Sequence, residues 1–171
     1  IFDAHTVEGD GPYLRTGDLG FIHANELYIY GRCKDILIIR GRNYAASDVE
    51  WIAQCSHSTI RPGNVCAITH DQSQKEQSIL LVELRPDTNT TPQAIITAIN
   101  KALNNKMGIG IDTIVLLPPQ TLSKTSSGKL QRQKNKQRYY TNQLKLLAEM
   151  SNPNQLQYQA DPQSLRKFFK Q

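Results

Sequence analysis

Between residues 78 and 117 the chain reads strand, capped helix, strand, and this order limits the folds open to it more than any other stretch. Residues 78–85 form an apolar run of strand length. Thr91-Pro92 supplies an N-cap and a proline at the first helical position. Ile95, Ile96, Ile99 and Leu103 then fall on one helical stripe, and Gly108 marks its end. Residues 112–117 make a further strand. Upstream, residues 63–70 read as a strand joined to 78–85 through a polar turn over 71–77. Ser47-Asp-Val-Glu50 fits a capping box that opens a helix through about Cys55. Ile36-Leu-Ile-Ile39 is a short buried strand, turned at Gly41. Residues 19–23 and 26–30 form a hairpin through Ala24-Asn25. After the double proline Pro118-Pro119, residues 131–150 are expected as one helix packed through Tyr140, Leu144 and Leu147.

Composition excludes some classes. The 171 residues are 39% hydrophobic and 20% charged, which argues for a packed domain over wholesale disorder. The net charge of +5 suits a phosphate-bearing ligand, an acidic partner or nucleic acid equally well. No apolar run reaches the ~20 residues that span a bilayer. Cys33, Cys55 and Cys66 form no CxxC pair and leave an odd count, which favours a reduced, cytoplasmic setting over a disulfide framework. Cys55, His57, Cys66 and His70 match no standard zinc spacing, so no metal site is expected among them. Ile1-Phe-Asp-Ala-His5 contains neither a Met nor a basic leader before an apolar run, and the chain is expected to be an excised piece without a signal peptide.

Chemistry concentrates in Leu122-Ser-Lys-Thr-Ser-Ser-Gly-Lys-Leu-Gln-Arg132. Small hydroxyl residues and Gly128 let the backbone turn tightly beside a ligand, and Lys129 ends that turn with a compact cation for an oxyanion. A P-loop is ruled out, because that motif needs Gly where Ser123 stands and Ser or Thr where Leu130 stands. Taken alone, Lys129 reads more readily as a solvated loop lysine. Arg15-Thr-Gly-Asp18 is a turn before a strand, and its carboxylate is of the kind that accepts paired ribose hydroxyls. Gly31-Arg-Cys-Lys-Asp35 is either a polar connector or an interdomain hinge. The cations Lys129, Arg132, Lys134, Lys136, Arg138 and Lys145 spread around a helix rather than forming one stripe, and aromatics are not interleaved with them.

In this order, Arg15-Thr-Gly-Asp18, Gly31-Arg32, Lys34-Asp35, Arg40-Gly41, Glu50 and Thr125-Ser-Ser-Gly-Lys129 resemble the C-terminal third of adenylate-forming enzymes. Ile38-Ile-Arg-Gly-Arg-Asn43 and the Lys-Thr-Ser-Ser-Gly-Lys-Leu-Gln-Arg run are most similar to fatty acyl-AMP ligases. The resemblance covers roughly residues 10 to 145. It implies that Asp18 binds the ribose of ATP with Arg32 close by, and that Lys34 and Asp35 form the hinge. Gly41 would lie in the loop that faces the active site in the second half-reaction. Lys129 would be catalytic, bridging the substrate carboxylate and the α-phosphate. Leu14 and Ser123 depart from the family's tyrosine and proline, and Asn43-Tyr-Ala-Ala46 is less typical.

The expected fold is α+β: a small mobile C-terminal domain with a short mixed sheet flanked by helices, preceded by a β-hairpin fragment of a large N-terminal domain. Residues 1–33 would end that large domain, 34–150 would form the small domain, and 151–171, with Pro153 and Pro162, a polar tail or linker. The resemblance implies an enzyme that activates a fatty acid with ATP and Mg²⁺ and passes it to the phosphopantetheine arm of an acyl carrier protein. Mg²⁺ and ATP would be held mainly by the large N-terminal domain, and this region alone would be inactive. The alternatives are an acyl-CoA synthetase, a nonribosomal peptide synthetase adenylation domain, or a non-enzymatic basic module for RNA or an acidic protein.

Overall fold

The structure, a computed structural model, describes residues 2–72, 75–86, 89–152, 155–158 and 169. It divides into two compact units, 1–36 and 37–171.

The first unit is built on an antiparallel pair, β1 (Asp18–His23) and β2 (Glu26–Arg32). Ala24 and Asn25 both take positive φ, 49° and 65°, which matches the backbone twist of a two-residue hairpin. Phe21 stacks on its cross-strand neighbour Tyr28 with ring centroids 5.2 Å apart. Cys33–Asp35 follow as one 3₁₀ turn.

The second unit opens with a hairpin of β3 (Ile36–Ile39, its first residue still in the first unit) and β4 (Arg42–Ala45), turned at Arg40 and Gly41 with φ 51° and 74°. Helix α1 (Ala46–Gln54) follows. The five-stranded sheet is ordered β5 (Ile60–Gln72), β6 (Lys75–Leu84), β7 (Thr113–Leu117), β8 (Ala148–Asn152), β9 (Gln155–Tyr158). Only β6 and β7 run parallel, and the crossover between them is α2 (Pro92–Met107). The Thr91 Oγ1 accepts from the Ala94 amide at 3.2 Å, and Gly108 closes the helix in the left-handed region at φ 66°.

The strands are buried on both faces, and alternate residues sort into two cores. Val65, Ala67, Leu80, Val82, Ile114 and Leu116 meet α1 and α2 through Val49, Ala53, Ile95, Ile96, Ile99 and Leu103. Cys66, Ile68, Ile79, Leu81, Val115 and Leu117 meet Leu122 and Leu144 on the opposite side, where α3 (Arg132–Tyr140) lies. This is the expected α+β fold, a mixed sheet with helices on its faces.

Three local expectations are corrected. The helix at α1 begins at Ala46 with Ala45 as its N-cap and no side-chain cap, so Ser47 and Glu50 form no capping box. Glu50 is engaged elsewhere: its Oε1 accepts from the Ala67 amide at 2.8 Å and from Arg132 Nη2 at 2.8 Å. The helix expected over 131–150 stops at Tyr140, where Asn142 turns the chain at φ 54°. Leu144 and Leu147 are buried as expected, but from the segment leading into β8, whose pairing with β7 satisfies backbone groups that would otherwise be stranded. Finally, the polar stretch from Ser151 is not simply a tail: Ser151 and Asn152 complete β8, residues 155–158 form β9, and Phe169 is buried in the first core. Pro153, Pro162 and Leu165 lie outside the described residues.

Candidate active site

The lysine run is a small hairpin. Lys124 and Leu130 form an antiparallel bridge, the Thr125 amide donates to the Lys129 carbonyl at 2.8 Å, and the Gly128 amide donates to the Thr125 carbonyl at 2.9 Å. The Thr125 hydroxyl accepts from the Lys129 amide at 3.1 Å and lies 2.9 Å from the Ser127 hydroxyl. Gly128 sits at φ 82°, a conformation a β-carbon penalises, so the run of small residues is what lets the loop close. Lys129 is exposed at this turn.

The base of the hairpin is held by polar side chains that sequence reading missed. Glu83 on β6 is fully buried; its Oε1 accepts from the Leu122 amide at 2.6 Å and its Oε2 from Arg61 Nη1 at 2.5 Å. Asn135 on α3, also fully buried, accepts from the Ser123 amide through Oδ1 at 2.7 Å and donates from Nδ2 to the Ser123 carbonyl at 3.0 Å. Arg138 Nη1 donates to the Thr121 carbonyl at 2.6 Å and the Ser123 hydroxyl at 3.0 Å. A signal for Glu83 does exist in the sequence. It stands on the same strand face as Ile79 and Leu81, where a carboxylate has to find partners.

In the first unit, Asp18 and Arg32 face each other at the end of the β1–β2 ladder. Arg32 Nε donates to Asp18 Oδ1 at 3.1 Å, and the Asp18 amide donates to the Thr16 hydroxyl at 3.1 Å. The pair is open to solvent, which keeps its electrostatic contribution small and leaves the carboxylate available to hydroxyl donors. Lys34 and Asp35 belong to the 3₁₀ turn just before the unit boundary, and Gly41 to the β3–β4 turn of the second unit, with free space around its α-carbon. Among the described residues no three His, Cys, Asp or Glu side chains gather to hold a metal ion. Among the same residues no helix is long and apolar enough to cross a membrane.

On the outer face of the second core, the Tyr139 hydroxyl donates to Glu149 Oε1 at 3.1 Å. Burial, and then the Glu149 carboxylate, push its phenol well above the usual tyrosine range.

The family described as Disco-interacting protein 2-like, AMP domain, matches residues 34–149, and the chain belongs to that family of adenylate-forming enzymes. JamA of Moorena producens, a medium-chain-fatty-acid–[acyl-carrier-protein] ligase, is 36% identical over 134 residues, covering 77% of this chain and 23% of its own length. FadD21 of Mycobacterium leprae, which carries a fatty-acid–CoA ligase name, is 38% identical over 129 residues, covering 72% and 22%. A solved structure from a study of the fatty acyl-adenylate ligases of E. coli and L. pneumophila superposes with a TM-score of 0.63 at 36% identity, over 76% of this chain and 22% of that one. The chain thus spans less than a quarter of the length of these relatives.

Proposed function

We propose that this chain is the C-terminal part of a ligase that converts a fatty acid and ATP to acyl-adenylate and pyrophosphate, then transfers the acyl group to an acyl carrier protein. The observation that carries the reading is the exposed Lys129 on a hairpin whose base is fixed in the sheet and α3. In the first step a carboxylate oxygen attacks the α-phosphorus, the new P–O bond forms, and pyrophosphate leaves. Two anions meet in that step, and the Lys129 ammonium donates to both as charge shifts toward the leaving group. Asp18 accepts the ribose hydroxyls, and Arg32 holds the Asp18 carboxylate in place while lying close to the nucleotide.

In this reading residues 1–33 close the large nucleotide-binding domain and 34–150 carry the catalytic lysine. Lys34 and Asp35 form the hinge, and Gly41 lies in the loop that replaces Lys129 for the second step. The free space around Gly41 suits a loop against which a pantetheine arm passes closely. Mg²⁺ and ATP would be held mainly by the large N-terminal domain.

The deciding experiment is Lys129→Ala in the complete protein. Fatty-acid-dependent pyrophosphate exchange is expected to fall about 100- to 1000-fold, the usual cost of removing one such contact. Unchanged exchange refutes the role. JamA and fadD21 carry names with different acceptors, so coenzyme A is the second reading. Supplying coenzyme A and a carrier protein side by side, and finding which becomes acylated, separates the two.

A further inference from the structure

We propose that Asn135, together with Glu83 and Arg138, is a positioning residue for Lys129; this rests on the catalytic reading of that lysine. Three consecutive residues at the base of the hairpin, Thr121, Leu122 and Ser123, each have a backbone atom held by one of these side chains. Ser123 is held most completely: its amide donates to Asn135 Oδ1, and its carbonyl accepts from both Asn135 Nδ2 and the Gln131 amide, each at 3.0 Å. Only one orientation of the Asn135 amide satisfies both bonds, so the side chain is itself locked. Beyond Ser123 the loop is exposed from Thr125 to Lys129 and made of small residues before the lysine. Its own bonds, between Thr125 and Lys129 and from the Gly128 amide to the Thr125 carbonyl, tie it only to itself, leaving its attachment to the domain to the base. The orientation of the lysine is therefore set at the base and carried outward by the Lys124–Leu130 bridge.

Two features separate this from ordinary core satisfaction. A fully buried carboxylate and a fully buried carboxamide carry desolvation costs that apolar residues of the same volume would avoid. Each also holds the same short segment, Asn135 through both of its bonds to the Ser123 backbone and Glu83 through Oε1 to the Leu122 amide, while Glu83 Oε2 pairs with Arg61. Polar groups used this way fix one conformation more than they add stability. A displacement of about 1 Å in a reacting group costs on the order of 100-fold in rate, so a fixed base has kinetic consequences.

The test uses the complete protein with four variants: Asn135→Ala, Arg138→Gln, Lys129→Ala and the Asn135→Ala/Lys129→Ala pair. Asn135→Ala is expected to lower kcat for pyrophosphate exchange about 10- to 100-fold without a matching rise in KM for ATP. It should also speed hydrogen exchange at the Leu122 and Ser123 amides. Added to Lys129→Ala, it should cost nothing further, because it acts through that lysine. A full additional loss in the double variant overturns the positioning role, as does faster amide exchange with kcat unchanged. If Asn135→Ala does not fold, Arg138→Gln, whose side chain is only partly buried, gives the same comparison with a smaller expected drop. Lys129→Ala with full exchange activity defeats the catalytic reading instead, and the two failures are thereby told apart.

Discussion

At Gly128 a β-carbon would meet nothing within 4 Å, so the only cost of a side chain there is the backbone angle, φ 82°. Gly128→Ala should therefore destabilise by about 1–2 kcal/mol in urea unfolding, and Gly128→Asn by less, since asparagine tolerates the left-handed region. Equal losses for the two would contradict a purely conformational cost. Tyr139 gives a pH signature. Its folded-state pKa lies above the ordinary value of 10.0, so the folded chain keeps a proton that the unfolded chain releases. The associated stability is present below about pH 10 and lost as pH rises beyond it. Tyr139→Phe should accordingly lose less stability than the parent between neutral and strongly alkaline pH, as read from the urea midpoint. Residues of this kind differ in how well sequence reveals them. Lys129, Asp18, Arg32 and Gly41 stand in local runs whose chemistry is complete within a few positions, and resemblance to a known family singles them out. Asn135 and Glu83 do not: each reads as one more polar residue, and the Glu83 partner, Leu122, is 39 positions away.

Among the elements, β5 is the informative one, because it is an outer strand of the sheet. An open strand edge invites pairing with another chain. Here the Ala67 amide donates to Glu50 of α1, the Ala67 carbonyl accepts from Arg132 Nε of α3 at 3.0 Å, and the two side chains bond each other. Arg132→Ala should cost about 1–3 kcal/mol in thermal or urea unfolding, the typical penalty for stranding a buried polar group. A double-mutant cycle with Glu50→Ala should show strong coupling, and simple additivity would mean the clamp is incidental. The same elements show where sequence patterns stop. Glu50 three residues after Ser47 has the spacing of a capping box, yet its carboxylate goes to a strand and a helix elsewhere in the unit. The run after Tyr140 has helix-forming composition, and the open edge of β7 recruits it as a strand; neighbours in space outweigh local preference. Where caps and stripe agree with tertiary demand, as in α2, the sequence reading and the structure coincide from Thr91 to Gly108.

For the molecule as a whole, the two units differ in kind. The second has cores on both faces of its sheet, whereas the β1–β2 hairpin exposes Phe21, Ile22, Leu27 and Ile29. An isolated two-stranded hairpin is marginally stable in water. In this chain by itself, amides of β1 and β2 should exchange with solvent far faster than those of β6 and β7; comparable protection would contradict the assignment of all lasting stability to the second unit. The exposed apolar hairpin was legible as a hairpin, but its lack of cover was not, because alternation along a strand does not say what packs on it. The β5 clamp has one more consequence, which concerns time. Ala67 is made 65 positions before the arginine that closes its carbonyl. At the usual rate of synthesis, the nascent strand waits roughly 3–13 s with only Glu50 in place, and in that interval the growing chain is open to joining with a neighbour on the same message.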